Sequence, residues 1–294
     1  MAVATIIGGA GRMGAWFASF LKKSGYRIII CDKNKRTARS LAWKKGFLFL
    51  EDPKLAVQPA QLVILATPTH ITKNILLEIE PHLPTRTLLV EISSIKEPIR
   101  RTLQRMQKQG AAVLSIHPMF GPGTKNIAGK IVITALVPRH NHAARKFLSL
   151  FRRKGARIVQ SDLAEHDRFA AITLALPHFM NIAMAQTLRS HGIGPSKLRA
   201  AAGTTFRLQL TIAEAIYHES FSNEASILMD SKLSLNVLKT FLKQSNRTLT
   251  MLSRGTRTGL IRDLKKGRSY LRRDKMFSSA YGRFNVAVEA MSLS

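Results

Sequence analysis

A single cysteine, Cys31, occurs in 294 residues, so no disulfide can form within the chain and no cysteine cluster can hold a metal. It closes the apolar run Ile28-Ile29-Ile30, where a small buried thiol is the simplest role. Uninterrupted apolar stretches of the ~18 residues that a membrane-spanning helix needs are absent, so no membrane association is expected. The first residues, Met1-Ala2-Val3-Ala4-Thr5-Ile6-Ile7, lack the basic stretch, long apolar core and small-residue cleavage site of a signal peptide. They read as a β-strand, and a cytoplasmic location is expected. Low-complexity tracts and internal repeats are missing too, so neither a disordered tail nor a repeat array is indicated.

Acidic residues are scarce: 17 Asp and Glu face 46 Lys and Arg, for a net charge of +29. Residues 1–161 hold 27 basic and 7 acidic side chains, residues 162–230 hold 5 and 7, and the rest of the excess lies in 231–294. Such a balance raises nucleic-acid binding as a reading. Against it, the charge is spread and carries no interleaved aromatics for base stacking. A solvated basic surface that draws in anionic substrates and dinucleotides is the favoured reading.

What is present is an alternation. Short β-branched runs are expected as strands over 3–8, 27–31, 62–66, 87–92, 112–116, 131–135 and 157–159, with helices over 13–23, 36–45, 69–79, 96–109 and 141–153. Continuous apolar strands between helices predict a mostly parallel sheet covered on both faces. The pattern changes near Asp162, where Asp162 and Glu165 read as a capping box opening a helix. From there the periods are helical to the C-terminus. The opening helix is expected to kink at Pro177, and its apolar stretch over 169–188 suits packing against other helices or a second subunit. Two domains are therefore expected, an α/β domain over 1–161 and an all-helical one over 162–294.

Chemistry enters at the first strand–helix turn. Gly9, Gly11 and Gly14 form G-x-G-x-x-G after a strand and before a helix. That arrangement lets a pyrophosphate approach the backbone at a helix N-terminus and marks a doubly wound Rossmann domain. Gly9, Ala10, Gly11, Arg12, Met13 and Gly14 are the expected cradle. Asp32, at the end of the second strand, is placed to hold the adenosine ribose hydroxyls, which favours NAD. Lys33, Lys35 and Arg36 beside it could instead neutralise a 2′-phosphate, which leaves NADP open. Thr67 and Pro68 follow the expected strand over 62–66, where a loop commonly lines the cofactor.

Two later strands end in polar groups. Ser94 lies in Glu91-Ile92-Ser93-Ser94-Ile95-Lys96, and His117 in Ser115-Ile116-His117-Pro118-Met119-Phe120-Gly121-Pro122. Ligands of open α/β sheets bind at the carboxyl ends of strands. A histidine there can take a proton from an alcohol while hydride leaves, and the serine can orient the imidazole or the substrate hydroxyl.

These residues resemble the prephenate dehydrogenase family. The likeness is carried by the glycine loop, Ser93-Ser94-Ile95-Lys96 and His117-Pro118-Met119-Phe120-Gly121-Pro122. It continues in Glu165-His166-Asp167-Arg168, Leu176-Pro177-His178, Phe206-Arg207-Leu208 and Ile227-Leu228-Met229. The resemblance implies oxidative decarboxylation of prephenate to 4-hydroxyphenylpyruvate in tyrosine biosynthesis. It implies His117 and Ser94 at the reacting hydroxyl, Arg207 gripping a substrate carboxylate, His178 facing the same cleft, and no metal. Glu165, His166, Asp167 and Arg168 are assigned to capping the helix start. A homodimer is expected from the apolar second-domain helices.

Departures are few. Glu91 stands where the family usually has aspartate, only eight residues precede the glycine loop, and no regulatory domain clearly follows the helical one. The basic segment 262–275 has no counterpart, and the residues do not separate prephenate from arogenate. A two-domain hydroxyacid or imine reductase would place a lysine or aspartate on the first helix of the second domain, which has neither beyond its first turn.

Overall fold

The computed structural model describes residues 1–138 and 141–292; Leu293 and Ser294, the end of the expected second domain, lie outside them. The chain divides into two compact units, Met1–Ala170 with Ala225–Ser231, and Ala171–Glu224 with Lys232–Ser294.

The first unit is an eight-stranded sheet. Its strands are β1 (Val3–Ile7), β2 (Arg27–Cys31), β3 (Leu48–Phe49), β4 (Leu62–Leu65), β5 (Leu88–Glu91), β6 (Ala112–Pro118), β7 (Ile131–Leu136) and β8 (Arg157–Gln160). They lie in the order β3-β2-β1-β4-β5-β6-β7-β8. All neighbours run parallel except β6 and β7. The expected fold class is therefore the one observed, with its topological switch point between β1 and β4.

Burial on both faces explains the unbroken apolar strands. Ala4 and Ile6 of β1 pack with Phe17, Leu21, Phe147 and Phe151 on one side. Val3 and Ile7 pack with Leu76, Ile79, Leu103 and Met106 on the other, the two-residue period of a strand. The covering helices are α1 (Arg12–Lys22), α2 (Lys35–Lys45), α3 (Pro53–Val57), α4 (Thr69–Ile79), α5 (Arg100–Lys108) and α6 (His142–Arg152). β3 and α3 were not expected. A two-residue edge strand is too short to show a period, although Asp52 caps α3 ahead of Pro53 in the usual way. Helix α5 starts four residues later than expected, because Lys96 to Ile99 form a turn that buries Lys96.

Asp162 caps α7 (Leu163–Ala170), accepting from the amides of Ala164 and Glu165 at 2.8 Å each. The Glu165 carboxylate takes the Ser161 hydroxyl at 2.9 Å, where a reach back to the Asp162 amide was expected.

Within the second unit a π-helical turn, Ala171–Ala175, leads into α8 (Leu176–Ser190). This is how the expected disturbance at Pro177 appears: proline has no N–H to donate backwards, and the ladder widens before it. Then follow α9 (Pro195–Ala200), α10 (Thr204–Tyr217), α11 (Phe221–Met229, divided between the units), α12 (Lys232–Ser253), α13 (Arg257–Leu271) and α14 (Ala280–Ser292). Gln209 on α10 donates to Asn181 on α8 at 2.6 Å, and Phe179 meets Phe241 of α12 edge-on at 6.2 Å between centroids. By length and composition alone, Leu163–Ser190 could cross a membrane. A search for uninterrupted apolar residues passes over it because His178, Asn181 and Gln186 break the run. It is also poorly covered: Ile172 is 55% and Met180 42% exposed.

Candidate active site

The glycine loop is fixed by close backbone approach. Gly8, which lay outside the expected cradle, has φ +79° and would place a Cβ 2.4 Å from the Ala66 carbonyl oxygen. An L-residue there would be strained and would also clash. A Cβ on Gly14 would lie 2.1 Å from the Gly8 carbonyl, so α1 can press against the loop only with glycine at that position. The amides of Gly8 and Gly9 bond the Cys31 carbonyl. Gly11, before α1, offers no capping side chain, and the first-turn amides of a helix have no intrahelical acceptor. This is a site for an anion.

Asp32 is tied to the same loop: Oδ2 accepts from the Ala10 amide and Oδ1 from the Asn34 amide, each at 2.9 Å. A cleft of about 500 Å³ runs along Gly8, Ala10, Gly11, Asp32, Thr67 and Pro68. It thus brings together most of the expected cofactor residues. Thr72 stiffens its far wall, its hydroxyl reaching the Thr67 hydroxyl at 2.9 Å and the Pro68 carbonyl at 3.0 Å. Arg12 is exposed and Met13 half-buried at the start of α1. The cradle, the helix N-terminus and the cleft fit a dinucleotide.

The cleft also contains a carboxylate that sequence reasoning missed. Glu51, just beyond β3, lines it, pairs with Lys35, and lies 3.7 Å from Arg39. Part of the basic run beside Asp32 is therefore already matched by an acid. The only signal was the dipeptide Glu51-Asp52, which reads as a helix start.

His117 lies near the end of β6, 6% exposed. Its Nδ1 is 2.9 Å from Nε2 of His166 on α7. Nδ1 of His166 is 2.9 Å from Oδ1 of Asp167, which also accepts the Lys96 amide at 2.8 Å. Burial pushes His117 well below its ordinary range, and His166 and the Lys96 ammonium push the same way. His166 is lowered chiefly by burial, with Asp167 opposing. Sequence reasoning gave His166 and Asp167 to helix capping; both are buried instead, His166 against His117 and Asp167 against His166 and the Lys96 amide. An acid beside a histidine was the available signal.

Under this row lies a second buried group. Lys96 Nζ bonds Glu91 Oε1 and the Ile116 carbonyl, each at 2.7 Å, and Glu91 also accepts from the Ser115 hydroxyl and the Ser93 amide. Ser94 is half-buried beyond the end of β5, the strand beside β6. Its hydroxyl has no protein partner among the described residues, and it is His166 that holds the His117 ring.

In the second unit, His178 is half-buried on α8 with Nδ1 against Glu224 Oε2. Arg207 is exposed on α10 and has no ion-pair partner among the described residues. Asn181 and Gln209 join these two helices. Among the described residues no group of three or more His, Cys, Asp or Glu is placed to hold a metal.

A doubly wound sheet with a glycine cradle and an acid at the end of β2 defines a dinucleotide-binding protein. More narrowly, the chain belongs to the prephenate dehydrogenase family: residues 17–160 match the nucleotide-binding domain of prephenate dehydrogenase and residues 162–266 its dimerization domain. It is 26% identical over 264 residues to a probable arogenate/prephenate dehydrogenase of Methanocaldococcus jannaschii, covering 89% of this chain and 59% of that protein. It is 29% identical to a T-protein of Enterobacter agglomerans, covering 98% of this chain and 70% of that one. The chain therefore spans between half and three quarters of the length of these relatives. In fold it is similar to the prephenate dehydrogenase of A. aeolicus in complex with hydroxyphenyl propionate and NAD+, with a TM-score of 0.71 at 18% identity, covering 93% and 99% of the two chains.

Proposed function

We propose that this chain is an NAD-dependent prephenate dehydrogenase of tyrosine biosynthesis, with arogenate as the alternative substrate. The observation that carries this is a buried, neutral His117 at a strand end, in a chain of this family. In this reading residues 1–161 form the dinucleotide-binding domain and 162–294 the substrate-binding and dimerisation domain.

When bound, NAD takes up the hydride released from C4 of the substrate. The chain's own part is to bind, orient and accept a proton. His117 receives the proton of the C4 hydroxyl, and Ser94 hydrogen-bonds that hydroxyl. Arg207 grips a carboxylate in the bidentate way open to a planar guanidinium. His178, its Nδ1 engaged by Glu224, offers Nε2 to the substrate. Loss of carbon dioxide then leaves an aromatic ring, so the driving force comes from the substrate and the protein's contribution is mainly positioning. Purified chain mixed with prephenate or arogenate and NAD or NADP should produce absorbance of reduced cofactor. Absence of turnover in all four mixtures would refute the proposal.

For the cofactor, Gly9, Ala10, Gly11, Arg12, Met13 and Gly14 hold the pyrophosphate, Asp32 the ribose, and Thr67 with Pro68 the far wall. Asp32 and Glu51 together repel a 2′-phosphate. Replacing both, Asp32→Ser with Glu51→Gln, should free Lys35 and Arg39 and tighten NADP at least tenfold, about 1.4 kcal/mol, while NAD weakens. Calorimetric titration of each nucleotide checks this, and an unchanged preference would remove Glu51 from the role.

A homodimer is supported by the match to a dimerization domain and by the exposed apolar side chains of Leu163–Ser190. That helix is assigned to a protein surface in the cytoplasm rather than to lipid.

A further inference from the structure

We propose that His166 and Asp167 are positioning residues that fix which ring nitrogen of His117 carries the proton, leaving its Nε2 as the base. This rests on the reading that His117 accepts the substrate's proton.

Three distances and the rules of hydrogen bonding carry it. Asp167 Oδ1 already accepts the Lys96 amide, and a carboxylate has no proton to give, so the 2.9 Å contact with His166 requires the proton on His166 Nδ1. A neutral His166 then has its lone pair on Nε2. That atom lies 2.9 Å from His117 Nδ1, so His117 Nδ1 must donate. The lone pair of His117 is left on Nε2, the nitrogen turned away from the row. With both rings neutral, as burial favours for His166, any other assignment sets two donors or two acceptors face to face, at the cost of an unmade buried hydrogen bond. Each link therefore permits one tautomer of the next.

The row also serves the charged state. Once His117 holds the substrate's proton, its Nδ1–H still donates to His166, and the carboxylate of Asp167 stands behind that ring. Lys96, whose ammonium opposes that charge, is paired with Glu91. Nothing in the row needs to move for the proton to arrive, the condition for preorganised catalysis.

The test has a spectroscopic arm and a kinetic arm. In the full-length protein labelled with 15N-histidine, long-range proton–nitrogen correlation should show His117 protonated at Nδ1 and bare at Nε2. His117 protonated at Nε2 would overturn the proposal. His166→Leu, which removes the acceptor, should lower kcat on the order of 10²-fold with KM and the dissociation constant for NAD within about twofold. His166→Gln should recover most of that loss, because Asp167 attracts the amide NH2 and turns the carbonyl toward His117. An undiminished kcat in His166→Leu, or equal losses in the two variants, refutes the proposal. If His166→Leu does not fold, the tautomer of the wild-type protein decides. Loss of turnover in His117→Asn alone, with His166→Leu fully active, would leave the function standing and remove only the relay.

Discussion

Replacing His117 with asparagine should reduce kcat by about 10²–10⁴-fold, the usual contribution of a positioned acid or base, while NAD binds as before. Asparagine matches the volume near Cβ but cannot take up a proton, and the glycine cradle is built from β1, β2 and α1 without it. Stability should change little, because the asparagine NH2 falls near the position of the lost Nδ1 and can still donate to His166 Nε2; thermal melts of the two proteins check this. The wild-type pH profile follows from the same burial. His117 must be neutral to accept a proton, and its folded-state affinity for protons is held well below the ordinary 6.5 by burial, His166 and Lys96. Acidification through 6.5 should therefore leave kcat/KM flat, and the acid limb should appear only at lower pH. A limb centred at or above 6.5, or an asparagine variant with undiminished turnover, would show that another group is the base.

The legibility of this site in the sequence divides along physical lines. The glycine cradle and the parallel strands were readable because their causes are local: a close backbone approach demands glycine at fixed spacing, and two-faced burial demands unbroken apolar runs. Gly8 was passed over because the fingerprint spacing is met without it, and its positive φ answers to Ala66, far along the chain. Glu51 answers to Lys35 and Arg39 on α2, a pairing that neither a helical nor a strand period marks. The largest gap concerns His166 and Asp167. Their spacing from Asp162 suits a helix start, and α7 does start there. The same two side chains meet β6 and the Lys96 turn only because the sheet brings segments some fifty and seventy residues apart together. Local patterns assign one role to a residue, and buried polar networks give it a second.

Lys96→Met should produce the largest loss of stability. Lys96 and Glu91 form a 2.7 Å ion pair with both side chains fully buried. Deleting the cation leaves a carboxylate in the core with only the Ser115 hydroxyl and the Ser93 amide to satisfy it, and strips the Ile116 carbonyl of its donor. Breaking a buried pair on one side costs about 3–5 kcal/mol, which for a unit of this size lowers the melting temperature by roughly 10 °C. The pair need not be a net source of stability for this to hold, since the desolvation of two charges offsets much of their attraction. The double variant Lys96→Met with Glu91→Gln separates the two ideas. Removing the stranded charge should restore more than half of the lost melting temperature although no ion pair returns. Should the double variant melt as low as the single one, the charge was not the cause, and the packing of the lysine stem would be. Turnover should not follow stability back. The pair lies between the Lys96 amide that holds Asp167 and the Ile116 carbonyl one residue before His117, so a stable double variant with depressed kcat is expected. That outcome would identify the pair as the floor on which the histidine row is set.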